Sequence, residues 1–177
     1  MNIFERPIAI VDVETTGLDS SIHEIIEIGL ILINQKTLEI LNKVNLKIKP
    51  EHIERAFEKS LVINGYNEND WKDGLSLLEA MSIFNEKTKD AIFCSYNVVF
   101  DWSFIIEAFK KVNIKDQMDY HRIDLLSMGW ARFIKLGLEK FNLNEIAKQF
   151  NIAEEPLPHR AINGATIAFE IYKKLIS

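Results

Sequence analysis

Residues 7–17 read PIAIVDVETTG. A run rich in β-branched residues (Ile8, Ile10, Val11, Val13) follows Pro7 and stops at Thr15-Thr16-Gly17. That pattern predicts a buried strand over 7–14 that ends in a turn. Side chains alternate along a strand, so Asp12 and Glu14 share a face at its carboxyl end. Two adjacent carboxylates repel, and both stay ionised only where cations or donors compensate. Hard, oxygen-seeking Mg²⁺ or Mn²⁺ takes such pairs. A solvated strand end with two idle acids is the alternative reading.

Outward from this strand, HEIIEIGLILIN (23–34) and LEILNKVNLKIKP (38–50) predict a second and third strand, joined as a hairpin through NQKT. Helical spacing then takes over in 51–63 and 76–90. AIFCSY (91–96) predicts a buried strand and MDYHRID (118–124) a short fifth one. Helices are expected over 100–112, 125–135 and 142–150, and again after His159. In 100–112 the apolar stripe is Trp102, Ile105, Ile106 and Phe109. Three strands, then helices interleaved with two more, predict an α/β layer sandwich: a mixed five-stranded sheet flanked by helices.

The chain has 177 residues, room for one domain with a proper core. Its net charge of −5 argues against gripping long nucleic acid by phosphate neutralisation alone, but not against carboxylates that hold cations. Cys94 is the only cysteine, which excludes an intrachain disulfide, and its apolar surroundings suggest a core residue. The early acidic residues are unlike a signal peptide, and no apolar stretch approaches the roughly 20 residues of a membrane span. A cytoplasmic protein is expected.

Two other stretches carry candidate chemistry. Asn97-Val98-Val99-Phe100-Asp101 joins a buried strand to a helix, and places Asp101 in that helix's first turn. There it either caps the helix or converges with Asp12 and Glu14 beyond the strand ends. His159, after Pro158, is either a surface residue or, beside a metal site, a general base.

Asp12-Val13-Glu14-Thr15-Thr16-Gly17, Asn97-x-x-x-Phe100-Asp101 and His159-Arg160-Ala161 resemble, in order, the three motifs of the DEDD-type 3′→5′ exonucleases. The histidine-bearing, DnaQ-like branch is the similar one, which includes proofreading subunits of replicative polymerases and ribonuclease T. HEIIEIGLI after the first motif and IDLL before the third are also similar. The resemblance runs from about residue 7 to 174 and implies a single ribonuclease-H-like exonuclease domain over 1–177. It implies two ions, Mg²⁺ or Mn²⁺: Asp12 bridging both, Glu14 on the ion that holds the attacking water, Asp101 supporting the cluster, and His159 as base. It also implies that Thr15, Thr16, Gly17 and Leu18 cradle the terminal nucleotide. Asn97 belongs to the second motif, and Phe100 packs near the sugar or base. Plain core packing is the alternative for Leu18 and Phe100. Arg160 is the expected phosphate contact. The implied partners are single-stranded or 3′-ended DNA or RNA and a polymerase or other protein, with no membrane.

The family's third motif is His-x-x-x-x-Asp, but five residues after His159 stands Gly164. Three acids against two divalent cations leave a net +1, where four would balance. A metal-demanding enzyme is therefore expected, with a weakly active or inactive nucleic-acid-binding module as the alternative. A ribonuclease-H-type endonuclease suits His159 and the second motif less well. Water is the expected filler at position 164, then Asn163; Glu154 and Glu155 lie in a loop that could reach, and Asp124 stands at a strand–helix junction.

Overall fold

The computed structural model describes residues 2–177. The five strands are β1 (Pro7–Thr15), β2 (Ile25–Asn34), β3 (Ile40–Lys47), β4 (Ile92–Ser95) and β5 (Arg122–Asp124). They form one sheet in the order β3-β2-β1-β4-β5. β1, β2 and β3 pair antiparallel, while β4 runs parallel to both β1 and β5. This is the mixed sheet expected from the sequence.

Alternation along β1 decides what each face meets. Ala9, Val11 and Val13 face a core built with Met81 and Phe84 of α3 (Leu77–Lys87) and Phe104, Ile105 and Phe109 of α4 (Val98–Lys111). Ile8 and Ile10 face the opposite core, with Leu125 of α5 (Leu125–Phe133) and Ala165, Ala168 and Phe169 of α7 (Ala161–Ile176). The same alternation, carried on, directs Asp12 and Glu14 to the α7 side. A smaller cluster packs Ile146 and Ala147 of α6 (Leu143–Gln149) against Ile167 and Ile171 of α7.

Helix α7 lies unusually close to the sheet. Gly29, the cross-strand partner of Asp12, has the first turn of α7 directly above it. A Cβ there would stand 2.2 Å from the carbonyl carbon and oxygen of Ala161. A glycine inside a strand commonly marks such a backbone approach. No side chain of Arg160 caps the helix. Instead the buried Glu27 accepts the Ala161 N–H through Oε2 at 3.1 Å, and its Oε1 accepts from Asn45 Nδ2 at 3.1 Å. An anion at a helix start is favourable, and the bond satisfies one of the helix's orphan donors.

Several elements differ from expectation for local reasons. The third strand ends at Lys47, and Ile48 pairs instead with Leu75. The helix expected over 51–63 splits into a 3₁₀ turn (Ile53–Arg55) and α1 (Glu58–Asn64), because the extended Phe57 donates its N–H to Thr16 O at 2.7 Å. A short α2 (Glu68–Trp71), capped by Asn67, buries Trp71. The fifth strand keeps only three residues, since Asp119 is tied to Arg6 at 3.0 Å and its N–H to Ala91 O. The buried stripe of α4 is Asp101, Phe104, Ile105, Ala108 and Phe109, not the one centred on Trp102. Trp102 flanks it, edge-on to Phe93 at 5.2 Å, with the Arg122 guanidinium 3.6 Å from its ring centre. Apolar content alone does not weigh Asp101, which belongs to the stripe. Cys94 is a fully buried core residue, and burial holds it as the thiol.

Gly29→Ala should push α7 from β2, because the obstructing atoms are backbone. Overpacking of this kind costs about 1–3 kcal/mol, which thermal denaturation should register as a fall of roughly 2–4 °C per kcal/mol at this chain length.

Candidate active site

The site forms where β1 outruns its parallel neighbour. β4 pairs with β1 only along Ile8–Ile10, so the N–H of Val13 has no strand partner on that side. Asp101, in the first turn of α4, takes it: Oδ1 accepts from Val13 N at 3.2 Å. Asp101 is 2% exposed, although its position in sequence suggested a helix cap. The turn before it has Asn97 in the left-handed region (φ 66°), where asparagine is tolerated. The role of cap and junction falls to Asp124. Its Oδ1 accepts from Val98 N at 3.0 Å and its Oδ2 from Ser127 N at 3.1 Å, which joins α4 to α5 and leaves it occupied.

Asp12 and Glu14 face the start of α7, and the acids disturb one another. Burial, then repulsion from Asp101 and Glu14, raises the Asp12 carboxyl well above the usual range. Glu14 is pushed up to about 8 by burial and by Glu155 and Glu27, partly offset by Arg160. Burial brings Asp101 to about 7 despite the bond from Val13. Crowded, oxygen-only acids that resist ionisation are a donor set suited to divalent cations. Asp12, Glu14 and Asp101 offer oxygen atoms of that chemistry.

The third segment arrives through α1. Asn64, buried at the end of α1, donates Nδ2 to Thr15 O at 3.1 Å. The Arg160 guanidinium donates to Asn64 O and to His159 O, and lies 5.3 Å from the Trp71 ring centre. His159 N donates to Ile63 O at 3.0 Å. Arg160 thus clamps the histidine segment to α1 and Trp71, a structural task beside the expected phosphate contact. His159 stays partly exposed, with Nδ1 3.5 Å from Glu155 Oε2.

The nucleotide-cradle residues fall into two groups. Thr15 and Thr16 are buried and committed to the turn: Thr15 Oγ1 donates to Gly17 O at 2.6 Å, and Thr16 Oγ1 accepts from Glu24 N at 2.9 Å. Gly17 lies under the His23 ring, where a Cβ would come within 2.1 Å. Asn97 and Leu18 are exposed, Leu18 by 75%, which removes the core-packing alternative for Leu18. Phe100 is half-buried against Phe104 at 5.1 Å.

At position 164, where water is the expected filler, Asp12 lies directly against the glycine: a Cβ there would stand 2.5 Å from Asp12 Oδ2 and 2.7 Å from Cγ. Asn163, the next expectation, instead lines a surface depression with Lys43, Glu154 and Thr166. The acid that does reach the site is Glu155: Glu14, Glu155 and His159 offer ligand atoms all within 4.8 Å of one another. Glu27, Gly29 and Asn64 support the site and were not singled out in the sequence. Of these only Gly29 carries a local signal, as a glycine inside a strand pattern.

The ribonuclease-H-like sheet thus carries Asp12 and Glu14 on its central strand, with Asp101 of α4 bonded to the same strand at Val13. Residues 9–172 match the exonuclease family RNase_T. The chain is 32% identical over 165 residues to the PolC-type DNA polymerase III of Listeria welshimeri, covering 93% of this chain and 11% of that protein. With the enzyme of the same description from Caldanaerobacter subterraneus it shares 29% over 172 residues, 97% of this chain and 12% of that protein. The fold superposes on Escherichia coli Exonuclease I in complex with a dT13 oligonucleotide with a TM-score of 0.83 at 16% identity, covering 97% of this chain and 41% of that one. The chain belongs to the DnaQ-like 3′→5′ exonuclease family. It spans about an eighth or less of the polymerases it matches. The family is divalent-metal dependent. Among the described residues no helix is long and apolar enough to cross a membrane.

The raised carboxyls fix the direction of a stability test. Their folded values, about 8 for Glu14 and about 7 for Asp101, exceed the unfolded ones, so the folded state binds more protons between roughly pH 4 and pH 8. Metal-free stability should fall as pH rises through that window. At pH 8, Asp12→Asn should raise the metal-free Tm by about 2–4 °C, the equivalent of roughly 1 kcal/mol, and remove the stabilisation that Mn²⁺ gives the parent. Scanning fluorimetry with and without Mn²⁺ checks both; a lower metal-free Tm for Asp12→Asn would contradict the account of crowded acids.

Proposed function

We propose that residues 1–177 act as one metal-dependent exonuclease domain that hydrolyses the terminal phosphodiester at the 3′ end of single-stranded or short nucleic acid and releases 5′-nucleoside monophosphates. The observation that carries this reading is the convergence of Asp12, Glu14, Asp101 and the His159 segment. Strand β1, the start of α4 and the chain before α7 supply them from far apart in sequence.

In this reading Asp12, Glu14 and Asp101 hold divalent ions, Mg²⁺ or Mn²⁺, two per site. Bound there, the ions would supply charge stabilisation to the attacking and leaving oxygens. His159 takes the proton of the attacking water: its imidazole is partly exposed, beside Glu14, and oriented by Glu155. Leu18, exposed just past the Thr15–Gly17 turn, packs against the terminal base, and Phe100 borders the sugar. The backbone of the turn forms the floor of the cradle, its hydroxyls being already bonded. Arg160 steadies the histidine segment and lends a positive charge near Glu14. With no carboxylate on α7 at position 164, the site demands more metal than one with four acids in the family positions. The PolC-type relatives suggest a polymerase as protein partner, and the oligonucleotide-bound Exonuclease I suggests single-stranded DNA as substrate. A cytoplasmic location fits that role.

Oligonucleotides of DNA and of RNA, labelled at the 5′ end or the 3′ end, test the reading in a titration of Mg²⁺ and Mn²⁺. The expected outcome is a ladder shortening from the 3′ end, mononucleotide product from 3′-labelled substrate, and higher activity with Mn²⁺. Asp12→Ala should abolish turnover. His159→Ala should lower kcat by about 10²–10⁴-fold, the usual contribution of a general base. Binding without any mononucleotide release at high Mn²⁺ would favour the inactive binding module, and internal cuts would favour an endonuclease.

A further inference from the structure

We infer that Glu155 supplies the fourth carboxylate of this site, delivered by the loop ahead of the histidine instead of by helix α7. The inference rests on the exonuclease reading and adds a metal-holding residue outside the three motifs.

Four observations lead to it. First, α7 has no room for its own acid as the chain is packed, since Asp12 occupies the place of a side chain at 164. Second, the Glu155 side chain is only 6% exposed, and its carboxylate lies with the Glu14 carboxylate and the His159 imidazole in one group whose ligand atoms are within 4.8 Å. A long, flexible acid turned inward toward another buried acid is costly unless a cation joins them.

Third, the loop is anchored so as to present this residue and not its neighbour. Glu155 N donates to Asn144 Oδ1 at 3.1 Å, and Glu155 Oε1 accepts from Arg160 N at 3.1 Å. Glu154 turns outward to Lys148 at 3.0 Å. Oε2 is left facing the His159 ring and Glu14. Fourth, charge favours it. Asp12, Glu14 and Asp101 leave two divalent ions with a net +1, and Glu155 brings the sum to zero. The acid stands four residues ahead of His159 instead of five after it, and its carboxylate reaches Glu14.

The competing role for Glu155 is to orient His159 alone, and metal binding separates the two. Mn²⁺ binding by calorimetry on the whole chain should weaken at least about tenfold in Glu155→Gln, the loss that even groups behind direct ligands cause, and stay at the parent level in Glu154→Gln. Metal-free melting of each variant confirms that it is folded. Parent-like Mn²⁺ affinity in Glu155→Gln would overturn the inference and leave Glu155 as a positioning residue for His159. Asp12→Ala keeps the two levels apart. If it also binds Mn²⁺ like the parent, the exonuclease reading itself fails; if it loses Mn²⁺ while Glu155→Gln does not, only the role of Glu155 falls.

Discussion

The site depends on the contact between the first turn of α7 and the sheet at β1 and β2. Two glycines permit it: Gly29 beneath Ala161, and Gly164 against Asp12. Gly29 and Asp12 are themselves cross-strand partners. The helix start therefore sits over the one register of the sheet where the acidic pair begins. Glu27, two residues before Gly29, caps that start from below. Were the helix lifted by the width of a methyl group, the His159 segment would lose its distance to Glu14, and Glu27 would be left buried without its donor.

The carboxylates that give the site its chemistry are a burden on the fold without a cation. Burial and mutual repulsion push Asp12, Glu14, Asp101 and Glu155 toward the neutral form. The surrounding structure tolerates this by spending hydrogen bonds on the scaffold: Val13 N on Asp101, Arg160 N on Glu155, Asn64 Nδ2 on Thr15 O. Such strain at one place, held by well-satisfied neighbours, is common where function needs charge that folding does not. It also explains why Arg160 binds carbonyl oxygens and packs near Trp71. A fixed guanidinium near Glu14 offsets part of the negative charge while it holds the histidine segment in place.

The turn after β1 divides labour between backbone and side chain. Thr15 and Thr16 hold its shape, and His23 covers Gly17. What remains accessible is Leu18. A rigid floor with one exposed apolar residue at its edge suits a base that must be held without regard to its identity, because every base offers an apolar face.

The sequence alone determined the layer architecture, the five strands and the face shared by Asp12 and Glu14. These follow from periodicity, which is local: a period of two cannot place residues 12 and 14 on opposite sides. The resemblance of its three motifs to the family's marked Gly164 as the place where an acid is expected. Only the tertiary structure decided which groups meet. Asp101 lies in the buried stripe of α4 because β1 leaves a backbone N–H unpaired beyond β4, and no pattern within α4 records that. Asp12 lies against Gly164, Asp124 is bonded at the α4–α5 junction, Asn163 lines a surface depression, and Glu155 turns toward Glu14 and His159, for the same reason. The direction of a loop side chain depends on its anchors, here Asn144 and Arg160, and those are set by packing between elements.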